Sequence, residues 1–122
     1  MNQGRKKVTF AKGLVMQWIK IFPDEATARL RIIADKPQLV VIGEKRICLT
    51  LHNNIFFAVQ DRCTHNGESL SKGHVNYLGE VICPWHNYRF SLQTGRESSS
   101  RSADLISYPI RINEDGFFIG IF

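Results

Sequence analysis

The sequence predicts an all-β fold, a sandwich or barrel of short strands. Runs rich in β-branched and aromatic residues are short, and Gly, Pro, Asn or Asp residues close them. Two pairs of these runs flank turn-forming residues and predict hairpins, one around 52–54 (HNN) and one around Leu78 and Gly79. The one segment suited to a helix is a turn or so after Asp24, so strands must supply the layers of the fold.

The strands follow one another along the chain. Residues 14–22 (LVMQWIKIF) predict the first, which Pro23 and Asp24 end. Residues 28–33 (ARLRII) alternate between arginines and aliphatic residues, a pattern typical of a half-exposed strand. The remaining predicted strands are 38–42, 45–51, 55–60, 74–77, 80–83, 88–92, 105–112 and 117–121.

Length and charge limit the classes of function. The 122 residues suit one domain, expected over 13–122 after a basic tail at 1–12. Sixteen Lys and Arg residues against 11 Asp and Glu give a formal charge of +5. Outside 5–7 (RKK) the basic residues are scattered, so we expect no nucleic-acid partner. A positive surface suits an acidic protein partner instead.

Hydrophobic runs are too short for a membrane anchor. The longest, FFIGIF at 117–122, has six residues, whereas a membrane-spanning helix needs about 20. We therefore expect no membrane partner, and a reducing cytoplasm in which cysteines stay free as ligands.

Two Cys–His pairs stand out. Cys63 and His65 form C-x-H, and after 17 residues Cys83 and His86 form C-x-x-H. Three interpretations are open: coincidence, a tetrahedral zinc site, or an iron–sulfur cluster. Zinc motifs usually pair Cys with Cys and His with His, whereas here each loop offers one thiolate and one imidazole. In one kind of [2Fe–2S] cluster, two Cys hold one iron and two His hold the other. Two loops that each carry one Cys and one His can each contribute one ligand to each iron, so the spacing favours the cluster.

The stretches CTHNGESLSKG and CPWHNYRFSLQTG resemble the two cluster-binding loops of the Rieske iron–sulfur proteins, and more narrowly those of the small, soluble, low-potential Rieske-type ferredoxins. The resemblance covers roughly 14–122. It implies stacked antiparallel sheets with a small cluster-binding subdomain at about 60–96, and one [2Fe–2S] cluster per chain. It also implies that Cys63 and Cys83 hold the inner iron and that His65 and His86 hold the outer iron near the surface.

The chain departs from the membrane-complex branch of that family. Glu68 and Trp85 stand where that branch has a cysteine pair, so no disulfide is expected between the loops. Tyr88 and Phe90 stand where it has hydroxyl donors to the sulfurs, and these two aromatics, with Trp85, are candidates to shield the cluster. Asn87 replaces a Gly found in many relatives, which predicts a left-handed residue there.

The resemblance implies a monomeric one-electron carrier that passes electrons from a flavin reductase to a terminal oxygenase or similar redox enzyme. Two alternatives stay open: a small Rieske subunit of a larger redox enzyme, such as an assimilatory nitrite reductase, and a zinc-stabilised binding module. We expect no catalysis by the chain itself, because an oxygenase iron site needs two His and a carboxylate and only His52 and His74 remain. Cys48 is expected to be structural, His52 to be solvated in a hairpin turn, and His74 to be an ordinary strand residue.

Overall fold

The structure is a computed structural model that describes the backbone of residues 5–9 and all of residues 15–122. It consists mostly of antiparallel strands with one short α-helix, as the sequence predicts. The elements are β1 (Arg5–Thr9), β2 (Val15–Phe22), α1 (Glu25–Arg31), β3 (Gln38–Ile42), β4 (Lys45–His52), β5 (Ile55–Gln60), a 3₁₀ turn (Leu70–Lys72), β6 (His74–Val75), β7 (Glu80–Ile82), β8 (Arg89–Ser91), β9 (Ser107–Tyr108), β10 (Ile110–Asn113) and β11 (Gly116–Ile121).

The chain forms two compact units. The first comprises the described part of Met1–Arg31 together with Tyr108–Phe122, and its sheet has the strand order β1-β2-β11-β10. Met16, Trp18 and Phe118 form its apolar core. No helix of the described residues is both long and apolar enough to cross a membrane.

The second unit, Ile32–Ser107, carries all four predicted ligands. Strands β3-β4-β5-β9 form one sheet and β6-β7-β8 form a smaller one, which lies within the predicted subdomain at 60–96. The bounds of that subdomain and of a single domain over 13–122 stay predictions. The core of this unit holds three cysteines among aliphatic and aromatic side chains: Cys48, Val59, Cys63, Leu70, Val75, Val81, Cys83, Phe90, Leu92 and Leu105.

Turn chemistry explains the confirmed hairpin between β4 and β5. Asn53 and Asn54 both have positive φ, 49° and 67°, as a two-residue type I′ turn requires. The prediction of a solvated His52 in this turn was wrong. His52 is buried, and its Nδ1–H donates to Oδ1 of Asp35 at 2.7 Å.

The predicted strand over 28–33 is wrong, because residues 25–31 form helix α1. The Asp24 carboxylate accepts the backbone N–H of Thr27 at 2.7 Å, and Glu25 pairs with Arg29 one turn later at 2.9 Å. This cap and ion pair favour a helix start after Pro23 and outweigh a six-residue alternation. The Asp24 cap also lowers the pKa of its carboxyl, through the side-chain and backbone hydrogen bonds from Thr27.

Two further differences concern strand bounds. The segment 105–112 is not one strand but two, β9 and β10, which flank Pro109 and belong to different sheets; proline has no N–H for a continuous ladder. Arg5–Thr9, expected within a tail at 1–12, forms β1 and pairs with Val15–Ile19 of β2. The rest of that tail lies outside the described residues.

Candidate metal centre

The first loop, 63–69, is shaped by a buried carboxylate. Asp61, fully buried at the end of β5, accepts the hydroxyl of Ser69 and the backbone N–H of Ser71 at 2.8 Å. Within the loop, the backbone N–H of Gly67 donates a hydrogen bond to the carbonyl of Cys63 at 2.8 Å, and Gly67 has φ +77°. These bonds fold the loop back on itself, so that Cys63 points inward and His65 outward.

The second loop, 83–88, turns sharply between β7 and β8. The backbone N–H of Cys83 donates to the carbonyl of Tyr88 at 2.8 Å and closes the loop. His86 and Asn87 have φ of 65° and 55°, so the left-handed residue predicted at Asn87 is confirmed and His86 joins it. The His86 side chain in this turn is exposed, whereas Cys83 at the start of the loop is buried.

A third loop, 96–105, completes the site. Thr64 in the first loop donates through Oγ1 to the carbonyl of Ala103 at 2.6 Å, and it lies 2.6 Å from Oγ of Ser102. Arg101 lies over the ring of Tyr88, with its guanidinium carbon 3.8 Å from the ring centroid. The sequence predicts residues 96–102 only as a polar loop, and the i, i+4 spacing of Glu97 and Arg101 within it is a local sign of its structure.

The four predicted ligands approach in two like pairs. Cys63 and Cys83 are both buried, with exposed fractions of 2% and 0%, and the Cys83 thiol lies 3.8 Å from Oδ1 of Asn66 in the first loop. His65 and His86 are exposed, with ring centroids 5.5 Å apart and ring planes at 78°. Among residues 15–122, no group of three or more His, Cys, Asp or Glu side chains is close enough to hold one metal ion.

Burial dominates the electrostatics of the thiol pair. Desolvation raises the pKa of Cys83 to about 11; the backbone N–H of Trp85 opposes this, and the Cys63 thiol adds to it. A buried thiolate pair therefore needs a compensating cation, and a metal ion that displaces the two protons supplies it. Cys48, by contrast, packs beside Thr50, and burial raises its pKa to about 12, in keeping with a structural cysteine.

The donor set fits a two-iron cluster. Two thiolates on the buried side and two imidazoles on the exposed side can each serve one iron of a [2Fe–2S] core, because each iron takes two protein ligands. No disulfide joins Cys48, Cys63 and Cys83, so their sulfurs are available as ligands.

The three aromatic residues predicted to shield the cluster differ in how deeply they are buried. Phe90 is fully buried in the core around the cysteines, Tyr88 is half-buried, and Trp85 is 57% exposed. Tyr88 lies flat on His65, with a centroid distance of 3.9 Å and an interplanar angle of 9°.

Comparison with known proteins identifies the family. The family model of the Rieske [2Fe-2S] domain matches residues 18–109, a segment that contains both loops. The chain belongs to the Rieske [2Fe–2S] domain family. Its cofactor is accordingly a [2Fe–2S] cluster, which confirms that prediction over zinc.

The Rieske relatives include ferredoxin components of oxygenase systems. The chain is 34% identical over 76 residues to the 3-phenylpropionate/cinnamic acid dioxygenase ferredoxin subunit of Photorhabdus laumondii, an alignment that covers 62% of this chain and 72% of the relative. It is 30% identical over 79 residues to the ferredoxin component of the alkene monooxygenase system of Xanthobacter autotrophicus, covering 65% of each chain.

Solved structures confirm the Rieske fold. A chain in the complex of reduced oxygenase and oxidized ferredoxin of carbazole 1,9a-dioxygenase superposes with a TM-score of 0.69 at 22% identity, over 83% of this chain and 99% of that one. A structure described as a putative NADH-dependent nitrite reductase small subunit from Mycobacterium tuberculosis gives a TM-score of 0.70 at 16% identity, over 86% and 96%.

Proposed function

We propose that the protein is a one-electron carrier whose cluster is held by Cys63 and Cys83 on the inner iron and by His65 and His86 on the outer iron. The observation that carries this proposal is the separation of the four side chains into a buried thiol pair and an exposed imidazole pair. Electrons enter and leave through the imidazoles, because they are the ligands at the surface. The chain transforms no substrate by itself.

The proposed partners are a flavin reductase as donor and a terminal oxygenase or similar enzyme as acceptor, with a monomeric carrier in a reducing cytoplasm. The names of the two sequence relatives, both ferredoxin components of oxygenase systems, support this assignment. A second candidate function is a small Rieske subunit of a nitrite reductase, favoured by the structural neighbour of that description.

The loops present positive charge to a partner. Three ion pairs in or beside them share one asymmetry: the cation is exposed and the carboxylate is largely buried. The pairs, with the exposed fractions of cation and carboxylate, are Lys72–Glu68 (71% and 19%), Arg89–Glu80 (48% and 17%) and Arg101–Glu97 (46% and 0%). Two of these arginines also line an open cleft of about 650 Å³ beside His86. An acidic partner surface fits this arrangement, because the cations are exposed to it while the carboxylates that pair with them are largely buried.

Metal and sulfide analysis with cysteine variants tests the ligand set. Protein produced with iron available should hold about two irons and two acid-labile sulfides per chain, with the low-temperature EPR signal of a reduced Rieske centre. Cys63→Ser and Cys83→Ser should abolish the visible spectrum, whereas Cys48→Ser, a matched control in the same core, should retain it. One zinc without sulfide, or bleaching by Cys48→Ser, would contradict the proposal.

Reconstitution distinguishes the carrier from the subunit. A free carrier should be reduced by a flavin reductase with multiple turnovers and should elute as a monomer in size-exclusion chromatography. A stoichiometric complex with a large reductase subunit that persists through chromatography would favour the nitrite reductase candidate.

A further inference from the structure

A three-layer stack joins the third loop to His65. The guanidinium carbon of Arg101 lies 3.8 Å from the centroid of the Tyr88 ring. The imidazole of His65 stacks on the other face of that ring, nearly parallel to it and with the two ring centroids 3.9 Å apart. His86 meets His65 edge-on from another side. The plane of the His65 imidazole is therefore set by its contact with Tyr88.

Buried Glu97 fixes the outer layer of the stack. Its Oε2 accepts Arg101 Nη2 at 3.1 Å, and its Oε1 accepts the backbone N–H of Arg101 at 2.7 Å. Burial alone would raise the pKa of the Glu97 carboxyl, but the Arg101 side chain and the backbone N–H groups of Arg101 and Ser99 together lower it to about 2. The carboxylate is ionised at neutral pH and holds the guanidinium both by charge and by geometry.

We propose that Arg101 is a positioning residue for the outer iron: Glu97 orients Arg101, Arg101 clamps Tyr88, and Tyr88 sets the ring plane of His65. The inference rests on the proposed function, in which His65 is a ligand. A surface imidazole would otherwise rotate about its side-chain bonds. Held flat, it presents its nitrogen to the iron at one orientation, and that orientation governs how strongly it binds and how it shapes the electronic structure of the cluster.

The planar guanidinium is essential to this role. Arginine stacks on an aromatic face, whereas the ammonium of lysine keeps the charge without the plane. Arg101→Lys therefore separates stacking from charge, and Tyr88→Phe against Tyr88→Leu separates the ring from its hydroxyl. Arg96, an exposed arginine of the same loop, provides a control that removes the same charge.

The experiment measures the EPR g values of the reduced cluster and the half-life of the visible spectrum under a chelator. Arg101→Gln, Arg101→Lys and Tyr88→Leu should shift the g values and shorten the half-life at least threefold. Arg96→Gln and Tyr88→Phe should behave as wild type. Because Arg101→Gln leaves Glu97 buried without its cation, the double variant Glu97→Gln/Arg101→Gln is included and should show the same shift in a folded protein.

Wild-type g values together with half-lives within twofold of wild type in Arg101→Lys, Tyr88→Leu and the double variant would overturn the positioning role. Iron and sulfide content of the wild type reports separately on the proposed function: a cluster that is present and unaffected by the stack refutes the inference alone, whereas no cluster at all refutes the ligand set.

Discussion

At the scale of single residues, Asp61 governs the loop that carries Cys63 and His65. Its fully buried carboxylate meets the hydroxyl of Ser69 and lies 3.5 Å from Nη2 of Arg46. A buried charge is tolerated only with such partners, so this carboxylate specifies the path of the chain around it. The sequence offers one clue, an acidic residue directly after an apolar strand.

Replacing Asp61 should therefore weaken both the protein and the cluster. Asp61→Ala leaves Ser69, the Ser71 N–H and Arg46 without their acceptor, and we expect a loss of about 2–3 kcal/mol in the free energy of unfolding, measured in urea. Asp61→Asn keeps the shape and one acceptor oxygen and should lose less. Equal stability of Asp61→Ala and wild type would show that these hydrogen bonds do not hold the loop.

The Glu97 carboxyl should make stability depend on acid pH. Burial opposes its ionisation, but the hydrogen bonds and charge of Arg101 lower its folded pKa from 4.5 to about 2. Because the folded pKa lies below the unfolded one, this group adds stability that is fully present above about pH 4.5 and lost as pH falls toward 2. The difference in free energy of unfolding between wild type and Glu97→Gln should therefore shrink across that window. Parallel pH curves would mean that the carboxylate is not held as the ion pair indicates.

At the scale of elements, the two cluster loops are tied together where the 3₁₀ turn Leu70–Lys72 meets β7. The turn follows the first loop, and β7 leads into Cys83. Gly73 directly follows the turn and packs against the backbone of β7: a Cβ at this position would be only 1.9 Å from the carbonyl oxygen of Ile82. The absence of a side chain lets the backbone after the first loop approach the strand before the second.

Gly73→Ala should force these elements apart. We expect a loss of about 3 kcal/mol in the free energy of unfolding, and a faster loss of the visible spectrum, because backbone atoms cannot yield as a flexible side chain can. Gly43→Ala is a matched control: it has φ +58° and nothing within 4 Å of the added Cβ, so it should cost about 1 kcal/mol and leave the spectrum unchanged. An equal effect of the two substitutions on the spectrum would contradict the close-approach argument.

At the scale of the whole molecule, net charge governs encounters. In the oxidised cluster the charges of two ferric ions, two sulfides and two thiolates cancel, so the protein keeps its formal +5 and loses one positive charge on reduction. The exposed cations of the three asymmetric ion pairs place part of this charge at the two loops, where the proposed acidic partner would meet it. The field acts over about 10 Å at 0.1 M salt and is screened at higher ionic strength.

Electron transfer with the physiological reductase should therefore slow as salt rises. Lys72→Gln and Arg89→Gln should lower the rate at low salt and flatten its salt dependence, whereas Lys45→Gln, which removes the same charge outside the three pairs, should do so less. Stopped-flow reduction of the cluster at several ionic strengths measures this. A rate that is flat or rising with salt would contradict the acidic-partner proposal.

The sequence by itself determined what depends on neighbours along the chain. The spacing of Cys63, His65, Cys83 and His86 indicated a cluster with mixed loops. Asparagines placed the β4–β5 hairpin and the left-handed turn at Asn87, because their side chains tolerate positive φ. These features need only local chemistry, and most strands were found within a residue or two of their bounds.

Only the tertiary structure decided what depends on residues distant in sequence. Buried His52 donates its N–H to Asp35, which lies 17 positions earlier in the chain. The residues around His52 in the sequence do not indicate this partner. The stack of Arg101, Tyr88 and His65 likewise joins three separate loops. Local alternation misplaced a strand over the helix Glu25–Arg31, because a six-residue pattern carries less information than the cap and packing that decide the backbone. Side-chain partnerships across loops follow from how the chain packs, and that is fixed only once the strands have paired.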